Sequence, residues 1–231
     1  MGFVFRELTA DEFRYWYTVL LPEAFPPQEI KPFEETKACL DAGTYEVWGL
    51  FTDKGGACET DRLLGYAALF VSPDYPLVLL DYLGVREDCR NAGLGSEILD
   101  QLKALGRPYL AEAELPVPLP WTPAADDTAG DAEAPNSDHV LAVMAENDLR
   151  RRRIGFYERN GLAPLYVSAT CGVRMQVLYW GPDVPDPEDP DAEADVLAIA
   201  DMHKHLYPAY RNDVLCPLPE GVEPPLPHWM E

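Results

Sequence analysis

The chain has 231 residues, of which 47% are hydrophobic, so one globular domain with an appendage is expected. Its 40 acidic and 18 basic side chains give a formal net charge of −22 at pH 7. Such a negative field repels nucleic acid and anionic membranes, which excludes both as expected partners, and it attracts cations.

The N-terminal part of the chain predicts one strand followed by two helices. Residues 3–8 alternate weakly in hydropathy and predict an edge strand. Thr9 and Glu12 have the spacing of a capping box, so a helix should begin after Thr9. Pro22, Pro26 and Pro27 should break this helix, because proline lacks the N–H that a helix interior requires. A second helix is expected over residues 32–40.

The next part of the chain predicts an antiparallel meander that leads into a buried strand. Residues 44–52 and 63–71 predict two strands, joined by a polar, Gly-rich hairpin over residues 53–61. Residues 78–85 are mostly apolar with little charge, which is typical of a strand buried on both faces. Apolar residues at spacings of three and four then predict a helix from Gly93 onward.

The junction between that strand and that helix predicts an anion site. The first N–H groups of a helix are unpaired and carry the positive end of the helix dipole. Gly93 and Gly95 lack a Cβ, so the backbone can approach an anion closely, and Arg90 adds a cation. This combination favours a phosphate or pyrophosphate. The alternative is an ordinary strand-to-helix turn with two convenient glycines.

Two carboxylates stand out in the strand that should follow this helix. Residues 108–115 alternate with period two, and Glu112 and Glu114 share a face with an apolar residue. A strand edge that faces solvent is the simpler explanation for them. Residues 116–140, rich in Pro, Ala and Asp, predict an irregular insertion.

The last part of the chain predicts a helix, two strands and an acidic tail. Asn147 or Asp148 should cap the helix, which should stop at Gly161. We expect two strands, over residues 163–169 and 174–180. A Pro- and Asp-rich linker should follow over residues 181–195, and a final helix over residues 192–206. His203 and His205 are interpreted as surface residues, because no third ligand lies at a diagnostic spacing. We therefore expect no metal site.

Two motifs together resemble the GNAT superfamily of N-acyltransferases. Arg90-x-x-Gly93-x-Gly95, after a strand and before a helix, is similar to the acyl-CoA loop of that family. Phe156-Tyr157-x-x-x-Gly161 is similar to the end of its late helix. Each motif is short, but their order and separation make the pair considerably more specific.

The resemblance implies an α/β (α+β) fold with a central, mixed, mostly antiparallel sheet flanked by helices. It covers roughly residues 3–182, so we divide the chain into a GNAT-like domain, residues 1–182, and an acidic linker with a C-terminal helical extension, residues 183–231. We expect the protein in the cytoplasm, because the sequence shows neither a signal-peptide pattern nor an apolar run of membrane-spanning length. The sequence leaves open whether it is a monomer or a homodimer.

The resemblance also implies that acetyl-CoA is the co-substrate. In that family a backbone amide late in the central strand holds the thioester carbonyl, and the loop amides take the pyrophosphate. Arg150 stands where the family often has Asn, so the run from Arg150 to Arg153 either contacts the cofactor in its own way or is solvated charge. The expected cofactor contacts are Leu83, Gly84, Val85, Arg90, Asn91, Ala92, Gly93, Leu94, Gly95, Ser96 and Arg150.

Tyr157 matches the family tyrosine that protonates the leaving sulfur. A phenol with a pKa of about 10 suits a thiolate leaving group, whereas the alternative is a tyrosine of the core. Asp81, Glu112 and Glu114 are three open candidates for the base that accepts the ammonium proton. In the resembled family the first two helices border the acceptor pocket.

Two functions fit these expectations. The first is an N-acetyltransferase that moves the acetyl group of acetyl-CoA, an acyl group other than aminoacyl, to a cationic primary amine of a small molecule or protein. The second is a non-catalytic acyl-CoA-binding or interaction module that keeps the fold. Tyr157 and the intact loop favour the first.

Overall fold

The computed structural model describes residues 2–53, 62–119, 137–186, 189–227 and residue 229. Most of the predicted hairpin and of the predicted insertion lies outside these ranges. The described residues form a seven-stranded sheet in the order β1-β2-β3-β4-β5-β7-β6. Its strands are β1 Phe3–Glu7, β2 Tyr45–Thr52, β3 Leu63–Phe70, β4 Val78–Val85, β5 Tyr109–Glu114, β6 Ala163–Thr170 and β7 Val173–Trp180.

The predicted mixed, mostly antiparallel sheet is confirmed. Strands β4 and β5 pair in parallel, and the other neighbouring strands of the sheet pair antiparallel. Strand β1 lies at one edge, as predicted. None of the helices in the described ranges is long and apolar enough to cross a membrane.

Helices cover the sheet from both sides. They are α1 Ala10–Tyr15, α2 Leu21–Ala24, α3 Phe33–Asp41, α4 Leu94–Ala104, α5 Ser137–Arg159 and α6 Glu193–Leu206. The predicted capping box is present, because Thr9 and Glu12 each bond the backbone of the other at the start of α1. Gly106 has φ +74° after α4 and Gly161 has φ +81° after α5, and these left-handed conformations end both helices.

The expectation that Pro22 breaks the first helix is wrong, whereas the helical run does end before Pro26 and Pro27. A π-helical turn, Trp16–Leu20, joins α1 to α2, and in it the Leu21 N–H bonds the Trp16 carbonyl. Pro22 then lies at the start of α2. A proline is tolerated in the first turn of a helix, because the N–H that it lacks has no partner there.

Hydrophobic cores lie on both faces of the sheet. Successive strand side chains point to opposite faces, so Leu79 joins one core and Leu80 the other. The first core also holds Trp16 from the π-helical turn and Leu206 from α6. The second core holds Ile98 and other apolar residues of α4. The two faces of the sheet are therefore covered by different helices.

Strands β4 and β5 diverge soon after they begin. Their pairing covers three residue pairs and ends at Leu80 and Ala111, although the strands continue to Val85 and Glu114. The divergence opens a cleft through the middle of the sheet. Beside the cleft, β4 has a bulge in its pairing with β3. Tyr82 pairs with Ala68 and Leu80 pairs with Leu69, so Asp81 has no partner on β3. Asp81 therefore projects to the same face as Tyr82.

Helix α5 begins at Ser137 and has 23 residues, so the prediction that Asn147 or Asp148 caps it is wrong. Asn147 lies inside the helix and is buried. Its side-chain amide accepts a hydrogen bond from the Val117 N–H and donates one to the Val117 carbonyl, both at 2.8 Å. The side chain thus fixes the chain that leaves β5 against α5.

The final helix packs into the first core. Ile199, Ala200 and Leu206 are buried, and His203 is fully buried, so its interpretation as a surface residue is wrong. Beyond the helix, the Ala169 and Leu215 backbones exchange two hydrogen bonds of 3.0 Å. The division of the chain after residue 182 stays a prediction.

Candidate active site

A cavity of about 750 Å³ lies where β4 and β5 separate. Its walls come from both strands, from the 3-10 turn Pro27–Glu29, from the start of α4, from α5 and from the turn between β6 and β7. Because these elements cover opposite faces of the sheet, the cavity connects the two faces. The predicted cofactor loop and all three predicted base candidates meet at this cavity.

The start of α4 contributes a cluster of backbone N–H groups. Gly93 precedes the helix with φ +79°, and no side chain caps it. The N–H groups of Leu94, Gly95 and Ser96 lie in the first turn, where a helix supplies no acceptor. Arg90 and Gly95 line the cavity. This end of the cavity is therefore suited to an anion.

Close packing limits the space at two glycines that line the cavity. A Cβ at Gly95 would lie 3.2 Å from the Phe156 ring, which keeps α4 and α5 close together. A Cβ at Gly84 would lie 2.2 Å from the Tyr66 ring, so this ring packs directly against the Gly84 backbone. The N–H groups of successive strand residues point to opposite sides, so alternate amides of β4 face the cleft.

The remaining predicted cofactor contacts have different surroundings. Leu83, Gly84 and Val85 line the cavity, whereas the Leu94 side chain is buried in the second core. Asn91 (φ +64°) and Ala92 are exposed in the turn that leads to α4. The cofactor contacts, including that of Ser96, stay predictions.

Tyr157 lies near the end of α5 and lines the cavity. Burial raises the pKa of its hydroxyl to about 12, although Arg153 opposes the rise. The hydroxyl is therefore protonated at neutral pH. It has no hydrogen-bond partner among the described residues, so its proton is available to a ligand in the cavity.

Asp81 is held by two partners on the opposite side of the cavity. Its carboxylate accepts hydrogen bonds from the Lys31 ammonium at 2.6 Å and from the Tyr45 hydroxyl at 2.5 Å. Burial alone would lower the pKa of Lys31, but Asp81 raises it above its ordinary value. Lys31 therefore neutralises Asp81.

Glu112 accepts hydrogen bonds from three hydroxyl groups. Thr170 donates at 3.1 Å and Tyr207 at 2.6 Å, and Ser168 also donates. Nε2 of His203 lies 3.7 Å away, but burial lowers the pKa of this histidine, so it is neutral at neutral pH. In the described part of the chain, the hydrogen-bond donors to Glu112 are therefore neutral groups.

Glu114 forms an ion pair with Arg150, with 2.7 Å between Oε2 and Nε, and both side chains are 14% exposed. The Glu112 and Glu114 side chains are only 9% and 14% exposed, so the explanation of both by a strand edge that faces solvent is wrong. The contact of Arg150 with the cofactor stays a prediction. Arg152 and Arg153, from the same run, line the cavity.

Glu29 also lines the cavity, and the sequence reasoning missed it. It lies in the turn Pro27–Glu29, and its carbonyl accepts a hydrogen bond of 2.6 Å from the Tyr82 hydroxyl. Burial and the nearby Glu114 raise the pKa of Glu29 above its ordinary value. Its carboxylate has no partner among the described residues. The turn has no motif, and its place between the first two helices was the available signal.

The charged residues of the cavity divide into two groups. Apart from Lys31, which pairs with Asp81, the cations Arg90, Arg152 and Arg153 come from the α4 loop and α5, whereas Glu29, Asp81, Glu112 and Glu114 come from the 3-10 turn, β4 and β5. Across the described ranges, no group of three or more His, Cys, Asp or Glu side chains has the arrangement of a metal site. The arrangement suits an anionic ligand at one end and a cationic ligand at the other.

Residues 10–119 match the model of the Acetyltransferase (GNAT) family. A relative from Bacillus subtilis (strain 168), named "Putative acetyltransferase YjbC", is 29% identical over 174 residues. The match covers 75% of this chain and 74% of the relative.

Solved structures with the same fold include a GNAT-family structure from Bacteroides thetaiotaomicron. It aligns with a TM-score of 0.59 at 21% identity over 88% of this chain and 98% of that one. NAA60 of Arabidopsis thaliana in complex with acetyl-CoA aligns with a TM-score of 0.51 at 10% identity over 78% of this chain and 99% of that one. The family match and the shared fold agree with the split sheet and the loop before α4, so the chain is similar to GNAT acetyltransferases in sequence over residues 10–119 and has their fold.

Proposed function

We propose that the protein is an N-acetyltransferase that moves the acetyl group of acetyl-CoA to a primary amine by direct attack of the amine nitrogen. The division of charge within the cavity carries this proposal. The free N–H groups at the start of α4, together with Arg90, Arg152 and Arg153, suit the pyrophosphate of the co-substrate. The carboxylates at the other end suit an ammonium group. The cleft between β4 and β5 joins the two ends.

In this proposal, the β4 amides left unpaired by the divergence from β5 are the backbone donors to the thioester. Amides of β4 between Leu83 and Val85 that face the cleft polarise the thioester carbonyl and stabilise the negative charge that develops on its oxygen. The loop at Arg90–Ser96 holds the pyrophosphate. These residues position the acyl donor, while the acceptor approaches from the acidic end.

Glu29 is the carboxylate best suited to accept a proton from the ammonium group. Lys31 neutralises Asp81, and Arg150 pairs with Glu114. Glu112 already accepts three hydrogen bonds. Glu29 has no such partner in the described part of the chain, and its raised pKa makes it a better base than an ordinary glutamate.

Tyr157 is the general acid in this proposal. The amine nitrogen forms a bond to the carbonyl carbon, the carbon–sulfur bond breaks, and the departing thiolate takes the phenolic proton. The tyrosinate regains a proton from the nitrogen as the amide forms. The products are the acetylated amine, CoA thiol and the proton that Glu29 releases to solvent.

Thiol release from acetyl-CoA in the presence of a panel of primary amines tests the proposal. Amine-dependent release, with the acetylated product identified by mass spectrometry, is expected. Calorimetric binding of CoA without release from any amine would instead identify a non-catalytic acyl-CoA-binding module.

A further inference from the structure

The chain after α6 lies against the turn between β6 and β7. We call residues 207–227 together with Trp229 the C-terminal segment. The Asp213 carboxylate accepts a hydrogen bond of 2.9 Å from the Cys171 N–H and pairs with Arg211 at 2.6 Å. Leu226 covers Gly172, where a Cβ would lie 2.6 Å from the leucine Cδ2. The segment is therefore fixed to this turn at two places.

The same segment also reaches the turn Pro27–Glu29. The Trp229 indole N–H donates to the Gln28 carbonyl at 3.4 Å. The Arg211 guanidinium lies 4.9 Å from the Trp229 ring and 5.0 Å from the Tyr207 ring. Arg211 thus links the part of the segment at the β6–β7 turn with the part at the Pro27–Glu29 turn.

Both of these turns line the cavity, and the segment adds a wall of its own. Gln28 and Glu29 line one side, and Cys171 lines the other. Tyr207 lines the cavity at the acidic end, where its hydroxyl donates to Glu112 at 2.6 Å. The segment therefore joins two turns that line the cavity and contributes Tyr207 to the wall beside the carboxylates.

We infer that the acceptor is a small primary amine rather than the N-terminus or a lysine of a polypeptide. This inference rests on the proposed function. The ammonium group enters between carboxylates, and Glu112 has no cationic partner at neutral pH among the residues that the structure describes. Tyr207 holds Glu112 in place, and the C-terminal segment excludes longer acceptors.

The full-length protein is assayed with acetyl-CoA and two classes of acceptor. One class comprises small amines such as 1,4-diaminobutane and phenethylamine, and the other comprises decapeptides with a free N-terminus or one internal lysine. We expect kcat/KM for the best small amine to exceed that for the peptides by about tenfold or more. Peptides accepted as well as the small amines would overturn the inference and leave the proposed function intact. Absence of transfer to either class would contradict the proposed function itself.

Trp229→Ala removes the contact with Gln28 and tests the segment directly. The ratio of kcat/KM between small amines and peptides should fall severalfold, with an unchanged Kd for CoA, because Trp229 contacts the turn that carries Glu29. Val222→Ala, an exposed position of the same segment, is the matched control and should leave the ratio unchanged. A ratio that stays at the wild-type value in folded Trp229→Ala would overturn the role of the segment. If that variant does not fold, the wild-type acceptor preference still decides the inference.

Discussion

Tyr157 is the residue whose proposed role can be tested with the smallest change. Tyr157→Phe removes the hydroxyl and keeps the ring that packs against the second core. General acid catalysis contributes ~10²–10⁴-fold, so kcat should fall by that order. The Kd for acetyl-CoA and the melting temperature should change little. Full turnover by the folded variant would exclude Tyr157 as the acid.

Glu29 should determine the acidic side of the pH profile. A base must lose its proton to act, so kcat/KM should rise with pH as Glu29 ionises. Burial, Glu114 and Glu146 raise its pKa, and Arg153 and Arg150 oppose them, so this rise should lie above the ordinary range of a glutamate.

Glu29→Gln should lower kcat by ~10²–10⁴-fold and remove this rise from the profile. Glu34→Gln, an exposed glutamate at the start of α3, is the control and should keep both. A Glu29→Gln profile with the wild-type shape would assign the base to another residue.

At the scale of elements, the turn before α4 offers a test of the anion site. Gly93→Asp places an L-residue at φ +79° and brings a negative charge to the positive end of the helix dipole. We expect the affinity for CoA to fall by about tenfold or more, which isothermal titration calorimetry measures.

Gly106→Asp is the matched control for Gly93→Asp. Gly106 has φ +74° at the other end of α4, so this substitution introduces the same backbone strain away from the cavity. It should lower the melting temperature and leave CoA affinity unchanged. Equal losses of affinity in the two variants would attribute the effect to strain and reject the anion site.

Elements with local signals were predictable from the sequence. The apolar run at residues 78–85 coincides with β4, and the capping box and Gly161 mark real helix ends. Asn147 was misread because its partner, Val117, lies 30 residues away, and such a contact leaves no local pattern.

In the candidate site too, some features were predictable from local motifs and others were not. The loop at Arg90 and the position of Tyr157 follow from short motifs, and both line the cavity. The partners that distinguish the carboxylates, such as Lys31 for Asp81 and Tyr207 for Glu112, are brought together by the tertiary fold. For that reason the sequence left three bases open and did not indicate Glu29.

At the scale of the whole molecule, the buried ion pair of the C-terminal segment should matter for stability. Arg211 and Asp213 have side chains with no exposed surface. Asp213→Ala leaves the guanidinium unpaired and should lower the free energy of unfolding by about 3–5 kcal/mol, measured by denaturant titration. Asp41→Ala removes an exposed pair with Lys37 and should cost no more than about 1 kcal/mol. If both variants lost the same free energy of unfolding, burial would not determine how much an ion pair contributes to stability.

The same pair predicts a dependence of stability on pH. Burial opposes the shift, but Arg211 holds the pKa of Asp213 below its ordinary value. The contribution of Asp213 is therefore present above the pKa of an unfolded aspartate and is lost as the pH falls through the lower, folded value. The free energy of unfolding of the wild type should fall as the pH is lowered through this range, and that of Asp213→Ala should fall less.

The split between β4 and β5 also creates two strand edges inside the sheet. Open edges are templates on which a strand of another molecule can add, and proteins protect them by keeping them short and by placing charges that point inward. Beyond Leu80 and Ala111 both edges are short, and the one on β5 carries Glu112 and Glu114. The carboxylates that attract an amine therefore also make the cleft a poor place for a foreign strand, and the same charges serve against aggregation.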